Sequence, residues 1–117
     1  MAPRVTDVEQ LKRSVRKMAA GRVLVGQPAD VGLDLGQLNG CQARILAGYG
    51  SLSKAPESVA HDRLLWILDG HGQVLDGTGR VTELSQGEST VLAGGAAYRL
   101  VFPHLTLYLL VEPGTGA

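Results

Sequence analysis

From residue 22 onward, no apolar run outlasts a strand before Gly, Asn, Asp, Ser or Pro interrupts it. That punctuation leaves no room for the long amphipathic helices of βαβ units. It predicts an all-β chain of many short strands, closed or sandwiched so that few edges stay open. The apolar runs place strands near 22–26, 31–35, 42–48, 62–69, 72–76, 80–84, 89–93, 97–102 and 104–112. "DGHG" at 69–72 and "DGTG" at 76–79 carry the residues that tight turns between strands need.

The one convincing helix lies at the N-terminus. Thr6 and Glu9 have the spacing of a capping box. Val8, Leu11, Val15 and Met18 make a narrow apolar stripe, and Gly21 is the expected stop. Lys12, Arg13, Arg16 and Lys17 cover much of the rest and read as a solvated basic face. The expected organisation is a helix over 1–21 followed by a single β-domain over 22–117, a length that suits one core.

Two of the expected strands are apolar on both faces. They are "RLLWILD" at 63–69, and "LTLYLLV" at 105–111 apart from Thr106 and Tyr108. Such strands need cover on both sides. One side can face a barrel interior; the other must meet a second sheet, the N-terminal helix or another copy of the chain. A homodimer is therefore expected.

Bulk properties narrow the function. Formal net charge is zero and no long basic run occurs, which argues against nucleic acid as a partner. Aromatics at 4% are too few for a single-strand stacking platform. No apolar run approaches membrane-spanning length, and "MAPRVTDVEQLKRSV" lacks the apolar core of a signal peptide. The expected address is cytoplasmic, without a membrane partner. The single cysteine, Cys41, allows no intrachain disulfide. "GYGSLS" and "GHGQVL" lack the third glycine and following helix of a dinucleotide loop.

The strands and glycines resemble the cupin superfamily of small β-barrels. Its first motif runs Gly, five residues, His-x-His, three or four residues, Glu, six residues, Gly. Its second runs Gly, five residues, Pro-x-Gly, two residues, His, three residues, Asn. Gly50 and Gly70 bracket the first motif here, and Gly87 and Gly95 fall in register with the second. The ligand positions hold Pro56, Ser58, Arg63 and Tyr98 in place of His, His, Glu and His; Phe102 stands for the Asn. The phrase "HDRLLWILDGHG" is similar to the family's strand-turn-strand phrase with Arg63 where Glu is usual. Covering roughly residues 40 to 112, the resemblance implies an all-β, cupin-type double-stranded β-helix (jelly-roll) barrel with one N-terminal α-helix. It also implies that the usual metal is absent: proline offers no ligand, and an inward Arg63 repels a cation.

In that register Arg63 and Tyr98 face the interior. An interior arginine needs an anion, either a ligand's carboxylate or phosphate or an internal Glu57, Asp62 or Glu88. His61, two residues before Arg63, is expected on the same strand face. Ser58, His61, Arg63 and Tyr98 form the candidate ligand-binding set, with Leu65, Ile67, Leu100 and Phe102 as apolar walls. Arg44 and Arg99 are further candidates, Arg99 alternating outward from Tyr98. Trp66 is expected in the outer layer. His71 in its turn and His104 at a strand start read as surface or strand-end histidines, the alternative being a relocated metal site with His61.

Three functions follow. The first is metal-free binding of a small, polar or anionic molecule. The second is an enzyme, either metal-independent with His61 as base and Tyr98 as acid, as in sugar epimerases among cupin relatives, or metal-dependent through relocated histidines. The third is a structural or regulatory dimer with a filled interior.

Overall fold

The structure, a computed structural model, describes residues 7–38, 40–54 and 60–113. Helix α1 spans Val8–Leu24. Its N-cap is Asp7, whose side chain accepts from the Gln10 amide at 3.2 Å. The expected cap, Thr6, lies outside the described residues. Gly21 does not stop the helix, because nothing in its surroundings or backbone angle requires a turn there. The helix closes at Val25, where the Gln27 amide donates to the Arg22 carbonyl and the Gly26 amide to the Val23 carbonyl. Gly26 supplies the positive φ of 72° that this closure demands. The strand expected at 22–26 is thus the last turn and cap of the helix.

The helix packs by Val15 and Ala19, both fully buried, with Leu11 and Val23 half-buried on the same line. These residues are spaced four apart, and small Ala19 lets the helix approach closely. Val8 and Met18, expected in the stripe, flank that line and stay half exposed.

Seven strands follow: β1 Ala29–Leu38, β2 Cys41–Lys54, β3 Arg63–Asp69, β4 His71–Asp76, β5 Val81–Ser85, β6 Ser89–Leu92 and β7 Tyr98–Pro113. The strand order is β1-β2-β7-β3-β6, with β4 pairing β7 and β5 pairing β4, all antiparallel. The two longest strands serve two layers. The second half of β7 pairs with β3, and its first half pairs with β4. Strand β2 follows β7 through both halves.

The strands expected at 97–102 and 104–112 are therefore one strand. Pro103 does not break it because it sits at a corner: between the pairs Gly50–Phe102 and Gly48–Thr106, residues 103–105 oppose residue 49 alone. Irregular corners are where a strand tolerates proline. Thr106, with no exposed surface, fastens the corner. Its hydroxyl lies 3.0 Å from the carbonyls of His71 and His104, and accepts from the His71 amide at 3.3 Å.

Two cores result. Between the layers lie Leu46, Leu65, Ile67, Leu84, Leu92, Tyr98, Leu100, Phe102, Tyr108 and Leu110. Outside, α1 covers Ala29, Ile45, Ala47 and Leu107. An ion pair between Arg16 and Asp69 ties α1 to the end of β3. Among the described residues, no helix is long and apolar enough to cross a membrane.

Two glycines test this packing in opposite directions. A Cβ on Gly21 meets nothing within 4 Å, so Gly21→Ala should stabilise the protein by about 0.5–1 kcal/mol. A Cβ on Gly48 would lie 2.6 Å from the Phe102 ring and 2.9 Å from the Tyr108 ring. Gly48→Ala should therefore cost about 1–3 kcal/mol. Urea unfolding of both variants checks the pair; a Gly48→Ala as stable as wild type would overturn the corner packing.

Candidate functional site

Strand β3 alternates Arg63, Leu65 and Ile67 toward the inter-layer core. Leu65 and Ile67 are fully buried, whereas Arg63, the first residue of the strand, lies at the open end away from the Phe102–Thr106 corner. Tyr98, the first residue of β7, reaches the same end from the opposite layer and is buried. The two meet: Arg63 Nη1 donates to the Tyr98 hydroxyl at 2.9 Å. The Arg63 side chain keeps only 13% of its surface exposed.

The carboxylate beside Arg63 is Glu112, near the far end of β7, with Oε2 3.0 Å from Nε. Leu64 pairs with Val111, so the antiparallel register brings Arg63 and Glu112 side by side. The contact is an ion pair by distance only. The N–H does not point at the oxygen, and the buried Nε has no hydrogen-bond partner among the described residues. The partners expected from sequence serve elsewhere. Asp62 accepts from the Gly94 amide at 2.8 Å, and Glu88 from the Ser85 amide at 2.7 Å. Glu57 lies outside the described residues. A second pair, Arg44 Nε with Asp34 Oδ1 at 3.3 Å, shares this inner face, and Gln42 donates to the same Asp34 oxygen at 3.0 Å. Two arginines thus stand against two carboxylates, and a third carboxylate, Asp30, lies close enough to Tyr98 and Tyr108 for its charge to act on both phenols.

Arginine can only donate, so the Tyr98 oxygen accepts and its own proton is aimed elsewhere. Burial raises the Tyr98 pKa above its ordinary 10.0, although the Arg63 charge and hydrogen bond oppose the rise. Tyr98 is therefore a neutral donor at physiological pH. Deeper in the core, Tyr108 stacks on Phe102 with ring centroids 5.1 Å apart. Its hydroxyl donates to Asp30 Oδ1 at 2.5 Å, and burial, then the Asp30 charge, push its pKa well up.

Among the described residues, the remaining sequence candidates do not gather around this pair. Ser58 lies outside the described residues. His61 is exposed and precedes β3, which begins only at Arg63, so the expected shared strand face does not exist. His71 Nε2 lies 3.7 Å from Glu83 Oε1, and His104 is exposed at the corner. Among the described residues no group of three or more His, Cys, Asp or Glu is arranged to hold a metal ion. Arg99 is exposed, and its Nε donates to Ser53 Oγ at 3.2 Å. Leu65, Ile67, Leu100 and Phe102, expected as pocket walls, are packed into the core. None of the four lines a cleft of about 300 Å³ bordered by Ser53, Leu75, Asp76, Ala97, Tyr98 and Arg99, so Tyr98 is the member of the Arg63–Tyr98 pair that reaches it. Asp76 is held as a carboxylate there: hydrogen bonds from Thr78 lower its pKa.

Sequence reasoning missed Glu112, Asp34, Gln42 and the cleft. One signal was present, since Glu112 is in phase with buried Tyr108 and Leu110, and Gln42 and Arg44 are in phase with Leu46.

The buried phenols make a pH test. A raised native pKa means that the native state disfavours phenolate, so its stability is intact below pH 10 and falls as pH climbs above it. Tyr108→Phe should remove the most alkaline step of the phenolate absorbance titration and flatten that fall. A titration unchanged in Tyr108→Phe would refute the assignment.

No family model and no curated protein sequence matches the chain. Solved structures do match. The EutQ protein of Clostridium difficile superposes with a TM-score of 0.66 at 15% identity, over 77% of this chain and 71% of that one. A cupin-2 domain containing protein from Shewanella frigidimarina gives 0.65 at 15% identity, over 88% and 98%. An uncharacterised double-stranded β-helix protein from Klebsiella pneumoniae gives 0.64 at 14% identity, over 99% and 95%. At these identities the likeness speaks to architecture, and with the strand order and two-layer core it identifies the fold as the double-stranded β-helix of the cupins, preceded by one helix.

Proposed function

We propose that the chain binds a small polar molecule without a metal, at the open end of its barrel, through Arg63 and Tyr98. The observation that carries this is their hydrogen bond across the two layers. It fixes a permanent positive charge beside a protonated phenol, and Tyr98 in turn borders a cleft of about 300 Å³, the lower end of ligand-pocket sizes. The residues at these two cupin ligand positions do not fit a divalent cation. Arg63 repels one, and Tyr98 keeps its proton.

The test is a thermal-shift screen of small polar compounds against the intact protein. The best compound should raise the melting temperature of wild type, and its effect should be lost in Arg63→Ala and reduced in Tyr98→Phe, each compared with its own unliganded baseline. Undiminished stabilisation in Arg63→Ala would remove Arg63 from the site. Metal analysis of untagged protein dialysed without chelator should find no near-stoichiometric iron, manganese, nickel or zinc; finding one would overturn the metal-free reading.

We also infer that a second copy covers the outer face of β3, β6 and β7. Cross-strand neighbours there are Val91, Leu64 and Val111 in one row, and Trp66 and Leu109 in the next. Helix α1 leaves Trp66 43% and Val91 62% exposed. An exposed apolar row of this kind favours association. Light scattering at micromolar concentration should give a dimer for wild type and a monomer for Trp66→Glu, and a monomeric wild type would refute the assembly.

A further inference from the structure

We propose that Glu112 sits in the seat of the ligand's own acidic group: a small oxyanion, carboxylate or phosphate, takes Arg63 over from Glu112, whose side chain turns out to solvent. The proposal rests on the binding role given above to Arg63 and specifies the class of ligand.

The mismatch between Arg63 and Glu112 is the starting point. A guanidinium offers its N–H groups as a rigid fork, and a carboxylate or phosphate free to choose its position accepts two of them in parallel. Glu112 is not free, because its backbone is held in the ladder opposite Gln42. It approaches Nε to 3.0 Å without lying along the N–H, so among the described residues a buried donor stays unsatisfied. A buried donor in that state costs stability until something accepts from it. A mobile oxyanion satisfies what a tethered one does not.

Leaving is easy for Glu112. Its side chain is 25% exposed and lies one residue before the end of β7. Its pairing with Arg63 includes no hydrogen bond through Nε that would be lost, and the freed carboxylate regains water. The incoming anion replaces the charge that departs, so Arg63 is never left alone. Tyr98 completes the seat. Its oxygen is engaged by Arg63, so its proton is available to an oxygen of the ligand. The neighbouring Arg44–Asp34 pair, with side chains 35% and 64% exposed, keeps its own balance. Glu112 therefore acts as an internal competitor that sets how strongly an anion must bind.

The experiment titrates sodium malonate and inorganic phosphate, at constant ionic strength, into full-length wild type, Glu112→Gln, Asp34→Asn and the double variant Arg63→Gln/Glu112→Gln. Binding is read by calorimetry and by thermal shift. At least one anion should bind Glu112→Gln five-fold or more tighter than wild type. Asp34→Asn removes the same charge from the same mouth and should change affinity less than two-fold. The double variant should lose the gain. Glu112→Asp, which keeps the charge on a shorter stem, should fall between wild type and Glu112→Gln, and it serves if Glu112→Gln does not fold. Equal affinities in wild type and Glu112→Gln would overturn the proposal, as would equal gains in Asp34→Asn or a gain that survives loss of Arg63. If neither anion binds any variant while a neutral compound still stabilises wild type through Arg63, the exchange is wrong and the binding role stands. If Arg63 variants respond to every compound as wild type does, both fall.

Discussion

The corner at which β2 and β7 bend together is the constraint on which the rest of the molecule depends. Without it the two longest strands would extend one flat sheet, and neither Tyr98 nor Arg63 would have anything above it. Three features make the bend: Gly48 yields its side-chain space to Phe102 and Tyr108, Pro103 sits where the ladder is interrupted, and Thr106 ties the corner to the start of β4. Once bent, β7 presents its first residues to one layer and its last residues to the other. The same strand then supplies both groups that meet Arg63, Tyr98 from its beginning and Glu112 from its end.

That arrangement answers the cost of burying a guanidinium. Removing it from water costs several kcal/mol unless charge and hydrogen bonds are returned. Tyr98 returns one hydrogen bond, and Glu112 returns the charge in poor alignment. The fold therefore tolerates Arg63 without fully satisfying it. A residue kept only for stability would be served more cheaply by an apolar side chain of similar volume. The incomplete satisfaction is the feature that supports the proposed binding role of Arg63.

Most of the fold was legible because turns and strands are local. The glycines that carried the resemblance, Gly50, Gly70, Gly87 and Gly95, all have positive φ, so the letters reported a backbone requirement independent of any ligand. The errors are also physical. Residues 22–26 are apolar enough for a strand, but the helix ends at its true stop, Gly26, and not at Gly21. Pro103 suggested two strands because proline breaks a regular ladder, and the irregular corner was invisible. Arg63 and Tyr98 followed from the resemblance. Glu112 did not, because its place beside Arg63 depends on the β3–β7 register, a contact 49 residues apart in the chain that no local pattern encodes.

Core filling and the chemistry of the mouth are linked. A divalent cation needs several donors converging on one point, which demands an open, polar interior. Here the Phe102–Tyr108 stack and its leucine neighbours occupy the space between the layers. A side chain that carries its own charge needs no such convergence, only an anion beside it and one acceptor across from it. Arg63 can therefore sit where the strands open, one residue from solvent-exposed Asp62, and leave the interior to packing. Under the proposed binding role, stability and recognition fall at opposite ends of the same strands: the corner packs away from any ligand, and an exchange of partners at the mouth would leave the core intact.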